Sequence, residues 1–163
     1  MDIFQKLEKL KRDLKVKIPD IVVGITSRNG NQTYPHKVRY SGDGKKYESG
    51  GEKLIDVAIQ NEYGVSGEVP PRPFIKASRP QLKEMYREHC SDLVEALAQG
   101  KDVDIEMWAR DVGEQGVTII RNVLDDSKSW AKKNADLTVE LKGGDVPLFD
   151  TGKLRQGIEY ELR

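Results

Sequence analysis

The start of the chain has apolar residues at spacings of three and four, the pattern of an amphipathic helix. These residues are Ile3, Phe4, Leu7, Leu10 and Leu14. They predict a helix over residues 2–16, within an N-terminal segment 1–18. Pro19 is expected to end it, because proline cannot continue a helix.

Four later segments carry β-branched runs or alternate apolar with polar residues, which is typical of short strands. The segments are residues 20–26, 36–40, 137–141 and 158–162. Residues 41–52 are rich in glycine and other turn formers, and they are predicted to be a mobile loop. Gly143-Gly144 is predicted to turn the chain after the third strand.

Helical spacing returns in three segments in the middle of the chain. The first segment is residues 53–62, and the third is residues 104–124. The second is a helix that begins with Ser78 as its N-cap and has Pro80 in its first turn. Gly113 and Gly116 lie inside the last helix, and each lowers helix stability by about 1 kcal/mol relative to alanine. We therefore expect another backbone to pack closely against them.

A proline-rich segment, residues 66–77, joins the first two of these helices. Its prolines fix their own φ angles and favour extended conformations before them, so the segment is predicted to be a stiff, nearly straight strut. The order helix, strands, helices, strands predicts a single α+β domain over residues 1–163. In this fold a mostly antiparallel sheet has two long helices packed on one face, plus the N-terminal helix.

Charge is balanced overall but uneven along the chain. The 27 basic and 27 acidic residues cancel, so the total does not favour a nucleic-acid partner. Residues 1–50 hold 11 Lys and Arg against 6 Asp and Glu, whereas residues 84–111 hold 3 against 8. Two interpretations stay open: two solvated faces, or neighbouring copies that meet acidic face to basic face.

The sequence predicts a protein made and kept in a cytoplasm, with no membrane partner. No apolar run approaches the roughly 18 residues that a membrane span needs, and the N-terminal segment is amphipathic where a signal peptide is continuously apolar. Cys90 is the single cysteine, so an internal disulfide is excluded.

Asp150 is the residue that most suggests catalysis. The string Leu148-Phe149-Asp150-Thr151-Gly152 resembles the signature of aspartic proteases, in which two aspartates share one proton. Only 13 residues follow Asp150, too few for the strands that enclose that signature, and Lys153 replaces a small residue. The stretch also lacks the first glycine and the Ser or Thr of a phosphate-binding loop. We expect Asp150 to be the N-cap of a short helical turn instead.

Other candidates for catalysis or metal binding are few. His36 and His89 are the only histidines, and His89 is expected to border the helix core together with Cys90. Acidic residues at positions 102, 104, 106, 125 and 126 are expected at helix ends, where acids cap or stay solvated. No catalytic, cofactor-binding or metal site is predicted. The lysines of the N-terminal helix leave open a passive contact with DNA, although aromatic residues for base stacking are scarce there.

Three ordered sets of residues occur between about residue 54 and the end of the chain. They are Ala58-Ile59-Gln60-Asn61-Glu62-Tyr63-Gly64, then Pro71-Arg72-Pro73-Phe74, and then Thr138 to Gly143 leading into Pro147-Leu148-Phe149-Asp150-Thr151-Gly152-Lys153-Leu154 and Ile158-Glu159-Tyr160. Their order and spacing resemble the tail completion and virion morphogenesis proteins of tailed phages, with the phage Mu virion morphogenesis group nearest. No single motif carries the resemblance, which covers some two thirds of the chain.

The resemblance implies architectural roles for these residues. Three groups would end a helix, anchor the next helix and launch the final strand, respectively: Asn61, Glu62, Tyr63 and Gly64; Pro71, Arg72, Pro73 and Phe74; Asp150, Thr151, Gly152 and Leu154. Gly157 and Glu159 depart from the pattern, which usually has a serine and a small polar residue there. The last strand is therefore expected to be more exposed or differently paired, and residues 1–50 match weakly.

The resemblance also implies a function: a structural virion protein, not an enzyme, that completes the head-proximal end of the tail or the neck and enables head-tail joining. It would act without a cofactor as a homo-oligomeric ring around the DNA channel, with a hexamer expected, beside the connector, tail terminator or tail tube. Arg72 is expected to contact another subunit or a partner and to have no role in folding. The alternatives are a nucleic-acid-binding accessory protein and a small hydrolase centred on Asp150.

Overall fold

The computed structural model describes residues 2–15 and 17–163. The predicted N-terminal segment 1–18 therefore includes two positions, Met1 and Val16, that lie outside the described residues. The described chain forms these elements in order: α1 Ile3–Leu14, β1 Ile21–Gly24, α2 Ser27–Gly30, β2 Lys37–Tyr40, β3 Lys46–Ser49, α3 Leu54–Tyr63, α4 Phe74–Ala98, α5 Ile105–Asp125, α6 Ser127–Trp130, α7 Asp136–Lys142, α8 Lys153–Gln156 and β4 Glu159–Leu162.

The α+β class predicted from the sequence is confirmed. The strands form two antiparallel pairs, β1 with β4 and β2 with β3. The two long helices, α4 and α5, pack against each other, and α5 also lies on the β1–β4 pair. The first and last strands of the chain therefore form one ribbon beneath the helices, and β2–β3 is a separate hairpin.

Helix α1 is held at its start by a reciprocal pair of hydrogen bonds. The Asp2 carboxylate accepts from the amide of Gln5 at 2.9 Å, and the Gln5 side chain accepts from the amide of Asp2 at 3.1 Å, which satisfies amides that the helix itself leaves free. Its buried Leu7 packs with Cys90 and Leu93 of α4. The amphipathic helix predicted here is confirmed.

The two glycines of α5 mark where the helix meets the ribbon. A Cβ on Gly113 would lie 2.5 Å from the ring of Tyr160 on β4, and a Cβ on Gly116 would lie 3.0 Å from Val23 on β1. The expected close approach is present, but side chains of the two strands make it, and not another backbone.

A larger core lies between α3, α5 and the C-terminal segment. It includes Leu54, Phe74, Ile120 and Ile158, which are almost completely buried. Gly157 belongs to this packing, because a Cβ there would lie 2.2 Å from the Leu54 side chain. Any larger residue at position 157 would displace Leu54 from the core.

Residues 137–141, predicted to be a strand, are helical, and this prediction is wrong. Helix α7 has Asp136 in its first turn and Lys142 in its last, which suits the helix dipole, and Gly143 ends it in the left-handed region at φ 70°. The alternation of Leu137 with polar residues fits a strand, but none of the described strands pairs with this segment. Gly143 therefore caps a helix where a turn between strands was predicted.

Helix α4 begins at Phe74, four residues before the predicted N-cap, so that prediction is wrong. Ser78 is fully buried inside the helix and donates its hydroxyl to the carbonyl oxygen of Ile75 at 2.8 Å. Pro80 lies within the helix beyond its first turn. The earlier start is possible because a distant side chain caps the helix, as shown below.

The proline-rich segment 66–77 is not the straight strut that was predicted. The backbone amides and carbonyls of Val65 and Val69 bond to each other across a tight turn that includes Gly67 at φ 77°. From Phe74 onward the segment is helical. The extended part is therefore confined to the residues between Val69 and Phe74.

The predicted mobile loop 41–52 contains β3, which pairs with β2 in an antiparallel hairpin. Ser41 to Lys45 form the turn, closed by the hydrogen bond from the Ser41 amide to the Lys45 carbonyl at 3.0 Å. The amide of Gly42 donates to the Glu140 carboxylate of α7. The loop prediction is therefore wrong for Lys46–Ser49, which form a strand, whereas residues 41–45 are a turn that contacts α7.

Candidate functional site

The three segments that carry the phage resemblance meet around one cavity of about 250 Å³. Asn61 lines it from the end of α3, Arg72 from the proline-rich segment, and residues 150–154 from the turn before α8 and the first two residues of that helix. The hairpin and α7 contribute Lys37 and Lys142. The structure thus brings together residues that are far apart in the sequence.

Glu62 caps α4 from the preceding helix. Its two carboxylate oxygens accept hydrogen bonds from the amides of Ile75 at 2.9 Å and Lys76 at 3.0 Å. Pro73, the residue at the N-cap position, provides no side-chain hydrogen bond. A carboxylate at a helix N-terminus accepts hydrogen bonds from free amides and interacts favourably with the positive end of the helix dipole.

Asn61 and Gly64 fix the path from α3 into the proline-rich segment. The side-chain amide of Asn61 donates to the backbone carbonyl of Val57 at 2.8 Å. The backbone carbonyl of Asn61 accepts from the backbone amide of Arg72 at 2.6 Å. Gly64 has φ 78°, and a Cβ there would lie 2.9 Å from Pro71. Glycine is therefore required where α3 ends.

Arg72 makes hydrogen bonds inside its own chain, which corrects the expectation that it has no role in folding. It is 8% exposed. Its Nε donates to the carbonyl of Lys132 at 2.7 Å, and its Nη2 donates to the Lys133 carbonyl at 3.2 Å and to the Asn134 side chain at 3.1 Å. Burial lowers the pKa of this guanidinium. Arg72 holds residues 132–134 against the start of α4, so we assign it a role in folding.

Phe74 and Tyr63 occupy contrasting environments at the same junction. Phe74, the first residue of α4, is 1% exposed and packs in the larger core. Tyr63, the last residue of α3, is 77% exposed. The junction is therefore anchored by one aromatic residue and presents another to the surroundings.

Asp150 is not the N-cap of α8, and this prediction is wrong. Gly152 occupies that position, and the Thr151 hydroxyl accepts from the Lys153 amide at 3.2 Å. The Asp150 carboxylate instead accepts from Arg39 Nη2 and lies 3.7 Å from Lys37 Nζ. Asp150 therefore attaches the β2–β3 hairpin to the turn that leads into α8, while Leu154 is buried in the core.

Gly157 and Glu159, the two residues that depart from the motif pattern of the phage proteins, each make a specific contact in this chain. Gly157 leaves room for Leu54, as described above. Glu159, at the start of β4, accepts a hydrogen bond from the Thr26 hydroxyl and lies 3.6 Å from Arg28 Nε. These contacts connect β4 to α2, and β4 pairs only with β1 among the described strands.

The cavity holds more positive than negative charge. Lys142 donates to the carbonyl of Val146 at 2.8 Å, and burial lowers its pKa. Asp150 raises that pKa, whereas Arg72 and Arg39 lower it further. Burial, followed by the charge of Asp150, raises the pKa of Tyr34 to about 12. These groups are close enough to influence one another.

Two basic residues were not singled out in the sequence: Lys37, which lines this cavity, and Arg39, which binds Asp150 of its lining. Lys37 and Arg39 point inward on β2, while Val38 and Tyr40 between and beyond them are exposed. This order is the reverse of an ordinary surface strand, which buries its apolar residues. Two basic residues at alternate positions of a predicted strand were therefore a signal for an acidic partner on the inner face.

The other sequence candidates have structural roles. His89 is half-buried, and its Nδ1 lies 3.9 Å from the Asp111 carboxylate, while Cys90 is fully buried beside α1; the expectation that both border the helix core is confirmed. Asp104 is the N-cap of α5. Over residues 2–15 and 17–163, no group of three or more His, Cys, Asp and Glu residues could hold a metal ion.

None of the helices in the described chain is both long enough and apolar enough to cross a membrane. Compared with known proteins, the chain matches no family model, no curated protein and no solved structure.

Proposed function

We propose that this protein is a structural component of a tailed phage particle that completes the head-proximal end of the tail or the neck. It acts as a homo-oligomeric ring around the DNA channel and enables head-tail joining. It is made in the host cytoplasm and has its place in the virion. Its neighbours are the connector, the tail terminator or the tail tube, and packaged DNA passes through the ring.

One observation carries the proposal: the polar groups of the three motif segments bind one another and the backbone. Glu62 caps α4, Arg72 holds residues 132–134, and Asp150 holds the hairpin. Side chains that bind one another and the backbone fix the shape of the subunit, and a ring subunit needs a fixed shape. The proposal also rests on the order and spacing of the motifs in the sequence.

The hydrolase alternative is less well supported by the geometry. Its carboxylate, Asp150, is engaged by Arg39 and Lys37, whereas aspartic protease chemistry uses a second carboxylate that shares a proton with the first. The nucleic-acid alternative relied on the basic N-terminal helix. That helix packs on α4, and its Lys11 is paired with Glu8 of the same helix.

The decisive experiment is electron microscopy of lysates from a phage with an early stop codon in this gene. Filled heads beside separate or overlong tails are expected. The matched control is the same phage grown in a host that suppresses the stop codon, where joined particles should return. Complete, normal particles without suppression would contradict the proposed function.

A further inference from the structure

Two oppositely charged surfaces lie at the two ends of α4. The helix has 25 residues, which corresponds to about 37 Å at about 1.5 Å per residue. Arg72 lies just before its first residue, and Asp102 to Met107 lie just after its last. The two surfaces therefore cannot contact each other within one molecule.

The first surface is a basic furrow beside the start of α4. A groove of about 840 Å³ is lined by Tyr63, Arg72, Lys132 and Lys133, and it adjoins the 250 Å³ cavity through Arg72, Asn134 and Thr138. The two together are lined by six basic and three acidic side chains: Lys37, Arg72, Lys132, Lys133, Lys142 and Lys153 against Glu52, Glu68 and Asp150. A protein with no net charge thus concentrates positive charge here.

The buried cation of the furrow has only neutral partners. All the hydrogen bonds that the Arg72 side chain donates end on backbone or amide oxygens, and no carboxylate within the described ranges lies within 4.0 Å of it. The side-chain nitrogen of Asn134 beside it is buried without a hydrogen-bond partner among those residues. A buried charge without a counter-charge is unfavourable, so an acidic group that enters the furrow would be bound favourably.

The second surface is an acidic tip formed by residues 92–107, around the turn from α4 to α5. Five acidic residues and one basic residue, Lys101, occur there, and all six are exposed. The acidic residues are Asp92, Glu95, Asp102, Asp104 and Glu106. Met107 stands among them with 68% of its surface exposed. An exposed apolar residue surrounded by charge is a common arrangement at protein interfaces.

We propose that the acidic tip of one copy docks into the basic furrow of a second copy. Met107 packs against the exposed ring of Tyr63, and the carboxylates of the tip face Lys132, Lys133 and Arg72. Because the two surfaces differ, the contact is head-to-tail, and repetition gives a ring or an open filament. This inference rests on the proposed ring and names the surfaces that form it.

The structure also changes which basic region is available for such a contact. The sequence suggested residues 1–50, but α1 lies against α4 through Leu7, Cys90 and Leu93. One basic residue of this region, Lys11, already pairs with Glu8 of the same helix at 3.0 Å. Lys9 and Arg12 on the exposed side of α1 provide a matched control for the furrow lysines.

Charge reversal in the purified full chain tests the contact. The furrow variant is Lys132→Glu with Lys133→Glu, whose exposed side chains can change because Arg72 uses only their backbone carbonyls. The tip variant is Asp102→Lys with Glu106→Lys, which keeps Asp104 as the N-cap of α5. The control is Lys9→Glu with Arg12→Glu, which changes the net charge as much as the furrow variant does.

Sedimentation velocity at low ionic strength is expected to show concentration-dependent association of the wild type that weakens as salt is raised. Each reversal should raise the dissociation constant about tenfold or more, and the control should not. A chain that carries both reversals, and a mixture of the two variants, should associate again, because opposite charges then face each other.

Several results would overturn the inference: a wild type that stays monomeric, a control that loses association as the furrow variant does, or failure of the mixed reversals to restore it. Binding of duplex DNA that is lost in the furrow variant, without self-association, would instead assign the furrow to phosphate groups.

The stop-codon experiment is independent. Unjoined heads and tails with a monomeric protein would refute the docking alone, and self-association with normal particles would refute the function alone.

Discussion

The carboxylate of Glu62, one residue before the end of α3, accepts a hydrogen bond of 2.9 Å from the backbone amide of Ile75 in the first turn of α4. The two residues are 13 positions apart. The bond therefore closes the whole 64–73 connection and fixes how the two helices meet. It also explains why α4 begins at Phe74 without a capping side chain of its own.

Replacement of Glu62 by alanine is expected to lower the free energy of unfolding by about 1–2 kcal/mol, because two amides at the start of α4 lose their acceptor. Glu62→Gln should lose less, since one oxygen can still accept. Chemical denaturation measures both changes. Glu68→Ala, at an exposed position of the same connection, is the control, and equal stability of the Glu62 and Glu68 variants would refute the capping role.

Arg72→Ala is expected to destabilise the fold by about 2 kcal/mol or more, because the carbonyls of Lys132 and Lys133 lose a charged donor. Arg72→Lys should recover only part of this, since a lysine cannot reproduce the planar fork of donors. Lys132→Ala is the control, because only its backbone oxygen takes part. Thermal and chemical unfolding decide the matter. Unchanged stability with lost particle joining would contradict the folding role and leave Arg72 with a partner contact alone.

Gly113→Ala is expected to lower the free energy of unfolding by up to about 2 kcal/mol, although alanine has the higher helix propensity. The new methyl group would lie 2.5 Å from the Tyr160 ring, and such overpacking costs about 1–3 kcal/mol, against a gain of about 1 kcal/mol in propensity. Gly144→Ala meets no atom within 4 Å and should be nearly neutral. A stabilised Gly113 variant would show that α5 does not lie closely on β4.

Elements with a long local pattern were predicted well from the sequence. The apolar spacing of α1 and α5 continues over three or more turns, so a few residues suffice to identify each helix. Helix α7 shows the opposite case: five alternating residues fit a strand or a short helix, and the outcome depends on whether a partner strand is near. Strand β3 was missed because Lys46–Ser49 is polar and only Tyr47 is half-buried.

The candidate site was predicted less completely, because its contacts join distant residues. The sequence singled out Arg72 and Asp150 but assigned neither its partners. Asp150 binds Arg39 across 111 positions, and Arg72 binds the Lys132 carbonyl across 60. No local pattern specifies such pairs. The cap of α4 by Glu62 is another contact of this kind. Because no local pattern indicates it, the start of the helix was predicted too late in the sequence.

Alkaline pH should destabilise the protein through two tyrosines. Burial raises the pKa of Tyr34 and of Tyr86 from 10.0 to about 12, so the folded state keeps both protons where the unfolded state loses them. Their contribution to stability is complete below pH 10 and is lost as the pH rises through about 12. Tyrosinate absorbance should show two of the six tyrosines titrating near pH 12 in the folded protein.

The variants Tyr34→Phe and Tyr86→Phe provide the control for this titration. Each should remove one late-titrating tyrosine and reduce the loss of unfolding free energy between about pH 10 and 12. All other titratable groups are common to the three proteins, so their contributions cancel in the difference. An unchanged titration curve in either variant would show that the residue is not the buried group.

Asp150→Asn separates the architectural role of this residue from a catalytic one. Its carboxylate is 32% exposed and pairs with Arg39 and Lys37, which are also partly exposed, so loss of the charge should lower stability by only about 1 kcal/mol. The hairpin should loosen, and the amides of residues 37–49 should exchange faster with solvent, whereas Asp145→Asn at a neighbouring exposed position should leave them unchanged. If Asp150 were instead the catalytic group of a hydrolase, the variant would lose all activity with little change in hairpin exchange. The two roles therefore predict opposite results from one substitution, because an ion pair acts on the fold and a catalytic carboxylate acts on a substrate.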